Sequence, residues 1–254
     1  MAQQEQDTWI NTEGLSKTYG EFSALQGLSL QVRRGEVFGF LGPNGAGKTT
    51  TIKILMGLLV PTSGRAWIQG YDCLHERVEL MRRVGYLPDT PVFYDYLRGR
   101  ELVRFVGEMH GLEREFLSRR QDELFEYLGL SEAIDEYVVN YSMGMKKKTA
   151  LALALLHEPS VLILDEPTTG LDPMAARQMR KLIRDAADKG CTVFLSTHLL
   201  GMAEKLCDRV GIVNRGQLVT LGAPDELRRN MASNGSLEDV FLALTAEEPD
   251  DDES

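Results

Sequence analysis

The sequence predicts an α/β protein whose core is a mostly parallel sheet with crossover helices, and three observations carry that expectation. Short, almost wholly apolar runs at 37–41, 161–164 and 192–195 have the composition of strands buried on both faces, as central parallel strands are. A polar-faced helical pattern at about 175–189 separates the last two, and alternation of strand and helix gives a parallel sheet. A length of 254 residues with 43% apolar content supplies one large domain or two small ones, with a core that needs no disulfide staples.

Along the chain, Leu28, Leu30 and Val32 alternate with polar partners as a strand does, and Arg34-Gly35 turns the chain into the 37–41 run. A glycine-rich turn follows, and 49–59 reads as a helix. The stretches 75–83 and 98–128 carry helical periods, with charges between apolar positions such as Leu102, Phe105, Val106 and Met109, so the middle of the chain is expected to be helical. A further helix is expected over 141–156.

No apolar run approaches the roughly 20 residues of a membrane span. The start, MAQQEQD, lacks the basic and apolar regions of a secretion signal, so the expectation is a cytoplasmic protein. Net charge is −10, which argues against a nucleic-acid binder. Residues 247–254, EEPDDDES, hold six of the acids and match the composition of a disordered tail, leaving 32 acids against 28 bases in the body. Cys73, Cys191 and Cys207 have neither CxxC spacing nor a histidine ladder and read as idle buried thiols. His75, His110 and His157 read as structural.

Chemistry concentrates at strand ends. Gly42-Pro43-Asn44-Gly45-Ala46-Gly47-Lys48-Thr49 fits G-x-x-x-x-G-K-[ST] between an apolar strand and a helix, where successive N–H groups and the helix dipole make a nest for a polyphosphate that runs on to Thr50. Lys48 is placed for the β and γ oxygens and Thr49 for Mg²⁺. The 161–164 run ends in Asp165-Glu166. Neighbouring strand residues point to opposite faces, so Asp165 suits the Mg²⁺ shell, and Glu166 suits orienting or deprotonating a water aimed at the γ-phosphate. His198 ends the next strand, in Phe194-Leu195-Ser196-Thr197-His198. That end is the ligand rim of an α/β sheet, but position alone leaves open whether His198 touches the γ-phosphate or is only a satisfied polar residue.

The order of these motifs, continued by Leu164-Asp165-Glu166-Pro167, Gly170-Leu171-Asp172-Pro173 and Ser196-Thr197-His198, resembles the ATP-binding cassette (ABC) ATPases from about Thr12 to Glu226. In particular it is similar to the ATP-binding subunits of export-type, multidrug-like transporters. The resemblance implies a P-loop NTPase with a RecA-like parallel core, N-terminal antiparallel strands and a helical subdomain. Its division would be 1–88 with 157–232 as the ATP-binding core, 89–156 as the helical part, and 233–254 as a C-terminal docking segment and tail. It also implies that Tyr19, in Lys17-Thr18-Tyr19-Gly20, stacks on adenine, that His198 is the switch histidine, and that Asp172 touches a second subunit. Two copies, expected to be identical, would close head to tail on two Mg-ATP. They would drive a separate transmembrane permease from the inner face of the membrane, with the transported substrate bound by the permease and not by this chain. Ribosome- and DNA-directed relatives carry two cassettes or long coiled coils, neither of which fits here, and intact Lys48, Glu166 and His198 argue against a purely regulatory module.

The sequence departs from the family at two places. Its signature, usually Leu-Ser-Gly-Gly-Gln, is Tyr141-Ser142-Met143-Gly144-Met145, which keeps Ser142 and Gly144 for the partner's γ-phosphate. Lys146, Lys147 and Lys148 follow in the first turn of a helix, where a cation costs roughly 0.3–1 kcal/mol unless an anion compensates, which fits either at least one sensing ATP in trans or three solvated lysines whose stems cover apolar neighbours. Asp89 stands where the family has glutamine beside Mg²⁺ and the attacking water. It accepts but cannot donate, which predicts slower hydrolysis or altered coupling. The aromatics of 91–97 beside it fit either core packing or a permease socket, and 236–245 resembles the terminal segment of two-component exporters.

Overall fold

The computed structural model describes residues 7–230 and 236–245. In chain order, β1 (Thr8–Tyr19) and β2 (Phe22–Arg33) form a long hairpin and lead to β3 (Val37–Leu41) and α1 (Lys48–Leu55). β4 (Ser63–Ile68), β5 (Tyr71–Asp72), α2 (Arg77–Met81) and β6 (Val84–Leu87) follow. The helical stretch comprises α3 (Gly99–Met109), α4 (Arg114–Tyr127) and α5 (Met143–Leu155). After it come β7 (Val161–Asp165), α6 (Pro173–Asp188), β8 (Thr192–Thr197), α7 (Leu200–Leu206), β9 (Arg209–Asn214), β10 (Gln217–Gly222), α8 (Pro224–Asn230) and α9 (Leu237–Thr245).

The strands make two sheets. β2-β1-β4-β5 is antiparallel, and β10-β9-β3-β8-β7-β6 is parallel except at β10. The apolar runs are buried on both faces, and their alternation divides the core. Phe38, Phe40, Ile163 and Phe194 pack toward α1 and the antiparallel sheet, against Ile52, Leu55, Leu25 and Leu28. Val37, Leu41, Leu162, Leu164, Val193 and Leu195 face the other way, against Leu151 and Leu155 of α5 and Met179 and Ile183 of α6. Each such side chain contributes roughly 1.5–3 kcal/mol by leaving water. The first face is further fixed by the rings of Phe38 and Phe194, stacked with centroids 5.7 Å apart.

Several boundaries differ from expectation. The 98–128 pattern is two helices, because the chain turns at Gly111, whose φ of 69° no continuing helix adopts. The helix expected at 75–83 spans only Arg77–Met81. α5 starts two residues later than expected because Ser142 is its N-cap, its hydroxyl accepting from the Met145 N–H at 3.2 Å. The described part of the C-terminal segment docks on this chain itself. In α9, Leu237 and Val240 are buried, the Leu237 N–H donates to Glu204 of α7 at 3.0 Å, and the Leu244 carbonyl accepts from Asn214 of β9. The acidic tail at 247–254 lies outside the described residues.

Candidate functional site

The order β3-β8-β7-β6 brings four carboxyl ends side by side, with Leu41 opposite Thr197, Asp165 opposite Ser196 and Leu87 opposite Leu164. Each end carries a motif. β3 runs into the glycine turn, β7 ends at Asp165-Glu166, β8 leads to His198 and β6 leads to Asp89. A cleft of about 270 Å³ opens there, lined by Tyr19, Phe22, Ala24, Asn44, Gly45, Gly47, Lys48, Thr49, Thr50, Asp89, Asp165 and Glu166.

The turn is a backbone nest closed by its own lysine. Gly47, at φ 103°, caps α1, and a Cβ there would lie 2.6 Å from the Ala24 carbonyl oxygen, so only glycine fits. The Lys48 Nζ donates to the carbonyls of Gly42 at 2.7 Å and Pro43 at 3.1 Å, and the Ala46 N–H also donates to Pro43. Burial lowers the Lys48 pKa, while the charges of Glu166 and Asp165 act in the opposite direction.

Asp165 is buried and accepts hydroxyl hydrogen bonds from Ser196 and, at 3.1 Å, from Thr49. Burial raises its pKa, the two hydroxyls oppose that shift, and the charges of Asp89 and Glu166 add to it. Among the described residues no cluster of three or more His, Cys, Asp or Glu forms a metal site by itself. Thr49 and Asp165 nevertheless fit Mg²⁺, which takes few protein oxygens and completes its shell from phosphate and water.

Glu166 accepts from Thr169 Oγ1 at 3.0 Å, Thr197 Oγ1 at 3.1 Å and the His198 N–H at 3.1 Å, and lies 2.8 Å from His198 Nδ1. His198 thus rests on Glu166, and it is not among the residues lining the cleft. The Glu166 backbone is left-handed, φ 46°. Asp89 borders the cleft with its side chain half exposed and lies 3.4 Å from Lys147 Nζ.

Ser142 and Gly144 stand apart from this cleft at the start of α5. Asp172 caps α6, accepting from the Ala175 N–H at 2.9 Å. The lysine trio is divided by its surroundings. Lys147 is buried and donates to the carbonyls of Glu166 and Thr169, and Lys148 donates to the Leu128 carbonyl, so two of the three are committed within the chain and only Lys146 remains for a contact in trans. Sequence reasoning missed Phe22, which pairs with Tyr19 across the hairpin, and the hydroxyls of Thr169, Ser196 and Thr197. The Ser-Thr pair ahead of His198 was the available signal.

Residues 25–169 match the sequence profile of the ABC transporter family. The chain belongs to that family. It is 40% identical over 223 residues to the bacitracin transport ATP-binding protein BcrA of Bacillus licheniformis, covering 87% of this chain and 72% of that one. It is 37% identical over 242 residues to the probable multidrug ABC transporter ATP-binding protein YbhF of Escherichia coli, of which it spans only 42%. A solved structure of an ATP binding subunit of an ABC transporter superposes with a TM-score of 0.88 at 34% identity, covering 93% of this chain and 99% of that one. The ABC cassette described here therefore has the expected α/β architecture throughout its described length. No helix among the described residues is long and apolar enough to cross a membrane.

Proposed function

We propose that this cassette is the ATP-hydrolysing subunit of an exporter, working as a pair of identical copies that close on two ATP and drive a separate transmembrane permease. The observation that carries the reading is the convergence of Lys48, Thr49, Asp165 and Glu166 on one cleft at adjacent strand ends. Tyr19, with Phe22 beside it, offers an aromatic surface to the base. The backbone from Gly42 to Thr50 and the Lys48 ammonium would hold the β- and γ-phosphates, and Thr49 and Asp165, with Asp89 beside them, would hold Mg²⁺. The chemistry that Mg²⁺ would supply there is neutralisation of charge on the phosphate oxygens. Glu166 orients the attacking water and takes its proton, and His198, held on Glu166, turns to the γ-phosphate when it is present.

Support for a second copy comes from Ser142 and Gly144, which sit at the exposed start of α5 outside their own cleft. A helix start bearing a hydroxyl and an approachable backbone suits a phosphate presented by another subunit, and Asp172 lies on the neighbouring loop. Val92, Tyr94 and Tyr96 are strongly exposed next to Asp89, which suits a cytoplasmic helix of the permease. The cassette would sit on the inner face of the membrane through that contact, and the names of BcrA, for bacitracin transport, and YbhF, for a probable multidrug transporter, favour a drug-like cargo selected by the permease. The core 1–88 with 157–232 then handles nucleotide while 89–156 transmits motion. The acidic balance gives no support to a nucleic-acid role.

Glu166→Gln tests the catalytic assignment. ATP binding is expected to persist while turnover falls by about 10²-fold or more. Hydrolysis at the wild-type rate would overturn it.

A further inference from the structure

Lys147 is the one member of the lysine trio whose charge is buried, with 3% of its side chain exposed. Its Nζ has three acceptors, the carbonyl oxygens of Glu166 and Thr169, each at 2.8 Å, and Asp89 Oδ1 at 3.4 Å. Three protons meet three acceptors from two different segments, the loop after β7 and the hinge after β6, while the lysine itself belongs to α5. A buried ammonium is retained only where such partners compensate its lost hydration.

The first acceptor is the informative one. Glu166 holds a left-handed backbone, φ 46°, which disfavours any residue with a Cβ and persists only where the surroundings fix it. The Glu166 N–H donates to Ser196 and fixes one side, and Lys147 holds the carbonyl on the other. The same ammonium holds Thr169, whose hydroxyl donates to the Glu166 carboxylate. Lys147 therefore grips both ends of the turn that aims this carboxylate, and its third partner is the hinge acid in the nucleotide cleft.

Resting on the catalytic reading of Glu166 above, we propose that Lys147 is the positioning residue for Glu166, with Asp89 as the charge partner that ties its grip to the state of the hinge. Asp89 is the charged member of the three acceptors, 3.4 Å from this ammonium, so the acid at 89 and the lysine at 147 act as a pair.

Steady-state ATP hydrolysis by the full chain tests this, with thermal denaturation run on each variant. Lys147→Met is expected to lower kcat between about ten- and a hundredfold while KM for ATP stays within about twofold, as a misaimed group does. Lys147→Gln can still donate to the two carbonyls and is expected to recover part of that loss. In the Glu166→Gln background, Lys147→Met should cost no further rate, because the group it aims is already gone. A wild-type kcat in folded Lys147→Met, or an equal and additive loss in the Glu166→Gln background, would sink the proposal. Should Lys147→Met fail to fold, an unchanged kcat in Lys147→Gln sinks it alone. If Glu166→Gln slows hydrolysis while both Lys147 variants remain normal, only the positioning role falls. A wild-type rate in Glu166→Gln removes the catalytic reading and this role together.

Discussion

At Gly47 the backbone of the phosphate turn depends on one missing atom. Its φ of 103° and the Ala24 carbonyl, 2.6 Å from where a Cβ would stand, make alanine impossible without moving β2 or the turn. Gly47→Ala is expected to cost about 1–2 kcal/mol or more in unfolding free energy and to abolish ATP binding, read by urea denaturation and nucleotide titration. A variant with intact affinity would show that the turn is softer than its geometry implies. This residue was legible because a fixed local spacing encodes it. Lys147 was not: it lies 58 positions from Asp89, and only packing reveals that an ammonium next to a helix start points inward, onto the Glu166 loop. The same holds for Thr197 and Thr169, whose hydroxyls read as generic polar positions until the strands align them on one carboxylate.

Elements follow a similar division. The central strands declared themselves by apolar composition, whereas β9 and β10 and the small helices after His198 gave weaker patterns, and a single Gly111 split one long helical period into α3 and α4. That split creates a contact no periodicity contains. His110, at the end of α3, stacks on His157, just after α5, with ring centroids 3.9 Å apart. Burial pushes the His157 pKa down to about 4, and the His110 ring acts in the same direction while the Val84 backbone opposes it. Burial lowers His110 as well. The folded state thus resists a proton that the unfolded chain takes up near pH 6.5, so this contribution to stability is complete above that pH and is lost as pH falls toward 4. For His157 the loss is at most about 3 kcal/mol. Replacing His157 with phenylalanine keeps a flat ring and removes the titration. The difference in urea midpoint between variant and wild type should therefore grow in the variant's favour between pH 7 and pH 4.5; a constant difference would remove the histidine pair from the acid sensitivity of the helical stretch.

For the whole molecule, a head-to-tail pair makes a demand that a self-contained enzyme does not. Each site would take its nest from one copy and its signature from the other, since Ser142 and Gly144 stand outside the cleft that holds Lys48. Gly144 separates the two arrangements well. A Cβ there would meet only Leu171 at 3.6 Å and Ser142 at 3.9 Å, ordinary contact distances, so Gly144→Ala should fold and even gain a little helix propensity. A loss of hydrolysis is then expected from crowding a phosphate brought by the partner. Lys48→Met disables the other half of the site. Mixed in equal amounts, the two inactive proteins form heterodimers with one doubly damaged site and one wholly intact site. Random pairing makes half the dimers mixed, so about a quarter of the wild-type site number should return. If both half-sites belonged to one chain, every site in the mixture would carry a defect and no activity would reappear. Recovery on mixing, measured as ATP hydrolysis against each variant alone, therefore decides whether the catalytic unit is one chain or two.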